Sequence, residues 1–252
     1  MIGRGFVTFA GLIAVWQVLV WVTALPVYML PGPVQTAAAL VDRYDIILWH
    51  GGVTALEIVV GLAFGTIIGS GSALLLMRFR PARRWLLPML LVSQAIPVFA
   101  IAPLLVLWLG YGLASKVAMA TLVIFFPVAA TFYDGLRRTH PGWLDLARTM
   151  QASPWATLRH IRLPAALPAF ASGLRVAAGV APIGAVIGEW VGSSAGLGYL
   201  MLQANARLQT DLMFAALFVL ALLGVGLYFA VDAGLRRVLP WLPDTLPATD
   251  KE

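Results

Sequence analysis

The chain has 252 residues, of which 61% are hydrophobic and only 11% charged, with a formal net charge of +6. Soluble domains carry roughly one-quarter charged residues, so this composition argues against a water-soluble domain and for a bilayer as solvent. No cysteine is present, which excludes a disulfide framework, a thiolate metal site and a cysteine nucleophile.

The other chemistry-bearing residues are sparse. His50, His140 and His160 are scattered without metal-ligand spacing, so no metal site is expected. Basic residues sit at the ends of apolar runs and form no aromatic-interleaved patch, so nucleic acid is not an expected partner.

Apolar runs of spanning length fall at 6–25, 54–77, 86–109, 113–133, 168–190 and 212–235. Each is near the ~20 residues a helix needs to cross ~30 Å of hydrocarbon. The first follows Arg4 and has Ala24 where a signal-peptide cleavage site would lie. It exceeds the roughly 7–15 residues of a signal h-region, so a retained span is the expectation. Between the first two runs, 26–53 opens with "LPVYMLPGP" and continues as a sequence suited to a short interfacial helix. The second run carries Gly61, Gly65, Gly69 and Gly71, a small-residue pattern that predicts close helix packing. Lipid offers backbone groups no hydrogen-bond partner, so the runs should be helical and the chain an all-α integral membrane protein. No repeat, low-complexity tract or soluble segment divides it, and 1–252 reads as a single transmembrane domain.

Orientation follows from lysine and arginine. With the N-terminus cytoplasmic, that side holds Arg4, Arg78, Arg80, Arg83, Arg84, Arg137, Arg138, Arg148, Arg159, Arg162, Arg236, Arg237 and Lys251, thirteen in all. The other side holds three, Arg43, Lys116 and Arg207, while Arg175 falls inside the fifth run. Cytoplasmic loops retain basic residues, so both termini are expected in the cytoplasm. Trp85, Trp108, Trp190 and Trp241 lie near span ends and read as interface anchors.

The inner segment 134–167 breaks the apolar pattern with "DLARTMQASPWATLRHIRLP", Asp145 to Pro164. Pro141 precedes a short helix supported by an Asp145–Arg148 pair at i,i+3. Ser153 as N-cap and Pro154 as first residue start a second helix, with Trp155, Leu158 and Ile161 recurring on one face and Pro164 ending it. Two amphipathic helices too short to span make either a docking surface or a plain connector.

This stretch resembles the cytoplasmic signature of permease subunits of ATP-binding-cassette importers, the binding-protein-dependent inner-membrane family. That signature reads E-A-A, three residues, G, nine residues, I-x-L-P. Here Asp145, Leu146 and Ala147 are followed by three residues, Gln151, nine residues and Ile161-Arg162-Leu163-Pro164. Asp145, Leu146 and Gln151 depart from it, and Gln151 stands where a glycine would supply backbone freedom. "QAIPVFAIAPLLVLWLGYGLASK" from Gln94 and "VIGEWVGSSAGLGYL" from Val186 are similar to the branch that imports sulfonates, nitrate, taurine and thiamine-type pyrimidines. The resemblance covers about 50–238.

It implies that a loop at 141–164 couples to a separate ATPase through Asp145, Ala147, Gln151, Trp155, Leu158, Ile161, Leu163 and Pro164. It also implies an external, periplasmic solute-binding protein, a second copy of the chain, and residence in the cell inner membrane. The chain would be no enzyme and bind no cofactor, ATP and Mg²⁺ being held by the partner. Consistently, "GSSAGLG" at Gly192–Gly198 lacks the lysine and following serine or threonine of a phosphate loop, since Lys116 precedes Val117 and Lys251 precedes Glu252. Those glycines suit a tight re-entrant turn.

Polar groups in the spans remain. Gln94, beside Pro97, and Glu189 are candidates for a translocation path, and Glu189 and Glu57 equally for interhelical ion pairs. Arg175 reads as a snorkelling or structural arginine. The function expected is inward passage of a small polar solute, a thiamine-precursor pyrimidine or a sulfonate- or nitrate-like anion, by alternating access. The alternative is an ion-coupled secondary transporter using Glu57 and Glu189.

Overall fold

A computed structural model describes residues 2–93 and 95–241, and every regular element among them is helical. In chain order these are α1 (Ile2–Thr23), α2 (Pro33–Asp42), α3 (Tyr44–Arg78), α4 (Arg80–Ser93), α5 (Val98–Leu109) and α6 (Leu113–Arg137). Then follow α7 (Pro141–Thr149), α8 (Pro154–Thr157), a π-helical turn (Leu158–Arg162), α9 (Leu163–Gly192), α10 (Leu197–Ala206) and α11 (Thr210–Val238).

Among the described residues four stretches are long and apolar enough to cross a bilayer: Tyr44–Arg78, Leu113–Arg137, Pro154–Gly192 and Thr210–Val238. They contain the runs expected at 54–77, 113–133, 168–190 and 212–235. Val7–Thr23 and Val98–Leu109 are shorter apolar helices. The single span expected over 86–109 is corrected, because α4 stops at Ser93 and α5 starts only after Pro97. A proline lacks an N–H and disfavours helical geometry at the residue before it, here Ile96, and with the polar Ser93 and Gln94 just ahead the run breaks there, whereas Pro88 and Pro103 are accommodated inside α4 and α5.

Within 26–53, where a short helix is expected, the chain forms α2, with Pro33 in its first turn. The second span then begins at Tyr44, and its 35 residues correspond to about 52 Å of helix, longer than the bilayer hydrocarbon is thick. It therefore tilts or projects beyond the membrane.

α3, α6 and α9 form the centre of the bundle. Lipid is as apolar as leucine, so close contact, not expulsion of water, must hold these helices together. Glycine and alanine permit it. A Cβ on Gly61 would lie 2.5 Å from the Ala120 Cβ, and one on Gly65 would lie 2.5 Å from Ile124 Cγ2. Ala177, Ala181 and Ala185 of α9 complete the same buried cluster with Ile58 and Val128. Gly71 does not belong to that face, since nothing stands within 4 Å of where its Cβ would be. At the end of the bundle away from the loop Ile47, Leu197, Leu200 and Leu212 gather α3, α10 and α11. Near the loop end Ala73, Leu76, Phe132 and Leu136 pack around Leu158. Arg175 is structural: its Nε donates to Asp232 Oδ1 at 2.6 Å and ties α9 to α11.

Candidate functional site

The loop between α6 and α9 is built as the sequence suggests at its first helix. The His140 Nδ1 accepts from Gly142 N–H at 3.2 Å and caps α7, and Pro141 sits at its start. Arg148 Nη1 donates to Asp145 Oδ1 at 2.7 Å across one exposed turn. At the other end Gln151 N–H bonds to Arg148 C=O and Ala152 N–H to Ala147 C=O, both at 2.9 Å. These are the paired bonds of a Schellman motif, which places the residue after the cap in the left-handed region. That residue is Gln151, with φ +54°. The position where the resembling family carries glycine is thus one where this backbone requires what glycine does without strain.

Ser153 Oγ accepts from Ala156 N–H at 3.2 Å and caps α8, with Pro154 first in the helix. The second half departs from expectation. Pro164 does not end a separate helix, because the chain runs through the π turn into α9, where Pro164 occupies the first turn. Inside that continuous stretch Pro164 has no N–H to give the preceding turn, and the π turn lies where that bond is missing. The π turn, closed by Leu163 N–H to Leu158 C=O, also splits the supposed single face. Trp155 points outward, 64% exposed, whereas Leu158 is 8% exposed and packs beneath the loop. Ile161 and Leu163 are half-buried, Ala147 is buried against the body, and Pro164 is exposed. The outward apolar surface is instead formed by Trp143, Leu146, Met150 and Trp155, all exposed.

A second polar site lies at the opposite end of α3. Gly196, φ +107°, turns the chain after α9. A Cβ there would overlap the Glu189 carboxylate, so only glycine fits. The amides that open α10 are then taken up by side chains from two spans. Gly196 N–H donates to His50 Nδ1 at 2.9 Å, Leu197 N–H to Thr54 Oγ1 at 2.7 Å, and Gly198 N–H to Glu189 Oε2 at 2.5 Å. Thr54 Oγ1 donates in turn to Glu189 Oε1 at 2.6 Å. A carboxylate at a helix N-terminus meets unpaired donors and a favourable dipole.

Within this chain Glu189 is 1% exposed and caps α10. Its neighbour Glu57 is fully buried and faces the Glu189 carboxyl and Lys116, whose Nζ stands 3.7 Å from Oε1, and among the described residues neither of its oxygens has a hydrogen-bond partner of ordinary geometry. Lys116 is one of the three basic residues counted on the side opposite the arginine-rich loops. It is buried in the first turns of α6 and joins that helix to α3. His50, Thr54 and Lys116 are the site residues missed from sequence, and a lysine just inside an apolar run was the available signal. Gln94 lies outside the described residues, and Pro97 caps α5.

The decisive comparison follows from this arrangement of spans and loop. Residues 61–242 match the family model of the binding-protein-dependent transport system inner membrane component. The chain belongs to this family. It is 55% identical to a probable ABC transporter permease protein of Haemophilus influenzae, over 90% of this chain and 93% of that one. It is 36% identical to the formylaminopyrimidine transport permease protein ThiX of Halalkalibacterium halodurans, over 92% and 93%. The fold is shared with the inward-facing MetNI methionine ABC transporter, at TM-score 0.67 and 22% identity over 78% of this chain and 98% of that one.

The protein is thus a permease subunit of an ABC importer, a transport component that leaves ATP hydrolysis to a separate ATP-binding subunit and receives solute from a binding protein. The ion-coupled alternative resting on Glu57 and Glu189 finds no support, and both carboxylates are engaged in helix packing and capping.

Proposed function

We propose that this permease imports a small polar solute of the formylaminopyrimidine class, a thiamine-precursor pyrimidine, working as a homodimer with its termini in the cytoplasm. The identity with the formylaminopyrimidine permease over nearly the full length of both chains supports the solute class. The distribution of arginine and lysine supports the orientation. One chain supplies one bundle, and a path between two bundles needs a second copy.

The observation that carries the coupling role is the uncovered apolar surface of Trp143, Leu146, Met150 and Trp155 on two helices too short to span. An ATP-binding subunit, itself holding ATP and Mg²⁺, would cover it. Asp145, Ala147, Gln151, Leu158, Ile161, Leu163 and Pro164 would shape the loop and transmit closure of that subunit to α9, with which the second loop helix is continuous.

Burial of one large apolar side chain is worth roughly 1.5–3 kcal/mol, so Leu146→Ala with Trp155→Ala should weaken assembly tenfold or more. The test reconstitutes the permease with its ATP-binding subunit and binding protein in liposomes and follows labelled formylaminopyrimidine, with taurine as competitor. Uptake that taurine does not inhibit, lost in the double variant while the chain remains inserted, is expected. Taurine uptake in place of pyrimidine uptake overturns the solute class, and unchanged assembly of the variant overturns the coupling surface.

A further inference from the structure

Two adjoining cavities lie where α3 leaves the membrane on the arginine-rich side. The first, of about 350 Å³, sits between the end of α3 and the loop helices and is lined by Arg78, Arg148 and Arg162. Arg148 is paired with Asp145, and Arg162 Nη1 donates to the Leu136 carbonyl at 2.9 Å. Arg78 has only the Phe79 ring, 5.4 Å from its centroid, and among the described residues no carboxylate lies within salt-bridge distance of Arg78 or Arg162. Three guanidiniums against one carboxylate leave an anion-seeking pocket, and guanidinium geometry favours phosphate.

The second cavity, of about 280 Å³, shares Arg78 and Leu158 with the first and is otherwise apolar. It lies between Gly71, Leu74 and Leu75 of α3 and Trp155, Leu158 and Leu163 beside the loop. Gly71 leaves open space beside the helix, and Leu75 is exposed. From Gly71 to Arg78 the helix rises roughly 10 Å, about two-thirds of the ~15 Å hydrocarbon depth of one leaflet. An arginine-lined pocket joined to an apolar groove has the polarity profile of one molecule type, an anionic amphiphile. Basic pockets at the ends of spans are of the kind that bind anionic headgroups.

The geometry points to a bound anionic phospholipid, its phosphate among Arg78, Arg148 and Arg162 and one acyl chain against Gly71–Leu75, seated between the second span and the coupling loop. A lipid so placed touches both the loop and α3. It is a further ligand of the permease, distinct from the imported solute.

The test uses the permease with its ATP-binding subunit, stripped of lipid in detergent and titrated with mixed micelles of phosphatidylglycerol and phosphatidylcholine, with retained lipid counted by native mass spectrometry. Selective retention of phosphatidylglycerol is expected. Arg78→Gln should weaken it about fivefold, the effect of removing roughly 1 kcal/mol for one basic contact. Gly71→Leu, whose Cβ has no protein atom within 4 Å and whose side chain would fill the groove, should weaken it independently. Equal retention of both lipids overturns the proposal. Displacement by inorganic phosphate with no effect of Gly71→Leu makes the pocket a free-anion site and also overturns it. Retention by the permease alone that disappears when the ATP-binding subunit joins assigns the groove to that interface instead.

Discussion

Replacing Gln151 by glycine should stabilise the protein. The Schellman motif closing α7 holds Gln151 at φ +54°, where a side chain crowds the following carbonyl at a cost of roughly 1–2 kcal/mol. Glycine removes that cost but gives the unfolded chain more freedom, which offsets roughly 0.4–1 kcal/mol. The net expectation is a gain of about 0.5–1 kcal/mol. Gln151→Ala keeps the left-handed penalty and should change stability little. The measurement is reversible denaturant unfolding in mixed micelles, followed by tryptophan fluorescence, with wild type and both variants in parallel. Uptake should persist in Gln151→Gly, since the Schellman bonds are made by backbone and survive the change. A Gln151→Gly variant less stable than wild type, or an alanine variant that gains as much as glycine, would refute the strain argument.

Leu158→Ala should cost about 2–5 kcal/mol of stability because Leu158 fills a buried cluster, whereas Trp155→Ala should leave unfolding almost unchanged and act on assembly with the ATP-binding subunit. Lys116→Met strands the buried Glu57 carboxylate and should destabilise by about 3–5 kcal/mol, with Glu57→Leu in the same chain recovering most of it; failure of that rescue in an unfolding titration would deny that the two form a pair. Glu189→Leu and Thr54→Val each leave an α10 amide without its acceptor and should cost about 1–3 kcal/mol, read as faster protease cleavage within 193–197. Single cysteines at positions 82 and 140, free of background because the chain has none, should react with an impermeant maleimide only after the cells are opened; labelling of intact cells would reverse the orientation.

Hydropathy and the placement of arginine were enough to indicate a helical membrane protein, because the bilayer forbids other backbone arrangements in a segment of these lengths. The loop was legible for a similar local reason: Ser153, Pro154 and the Asp145–Arg148 pair act within one or two turns, and their bonds appear as the spacing predicts. Where neighbours beyond a few residues decide, the sequence was silent or misleading. The run 86–109 is apolar apart from Ser93 and Gln94, yet it divides at Pro97 while Pro88 and Pro103 stay inside helices. Leu158 looks like a partner of Trp155 at helical spacing, but the π turn and the cavity beneath the loop take it inward. Lys116 reads only as a charge on the side opposite the arginine-rich loops, and Glu189 equally as a path carboxylate or a member of an interhelical ion pair. Only the packing of α3, α6 and α9 shows the lysine facing Glu57, and Glu189 receiving the first amides of α10 from a loop folded back over it. A buried charge is tolerable only beside its partner, and for Lys116 that partner comes from a helix almost sixty residues earlier in the chain.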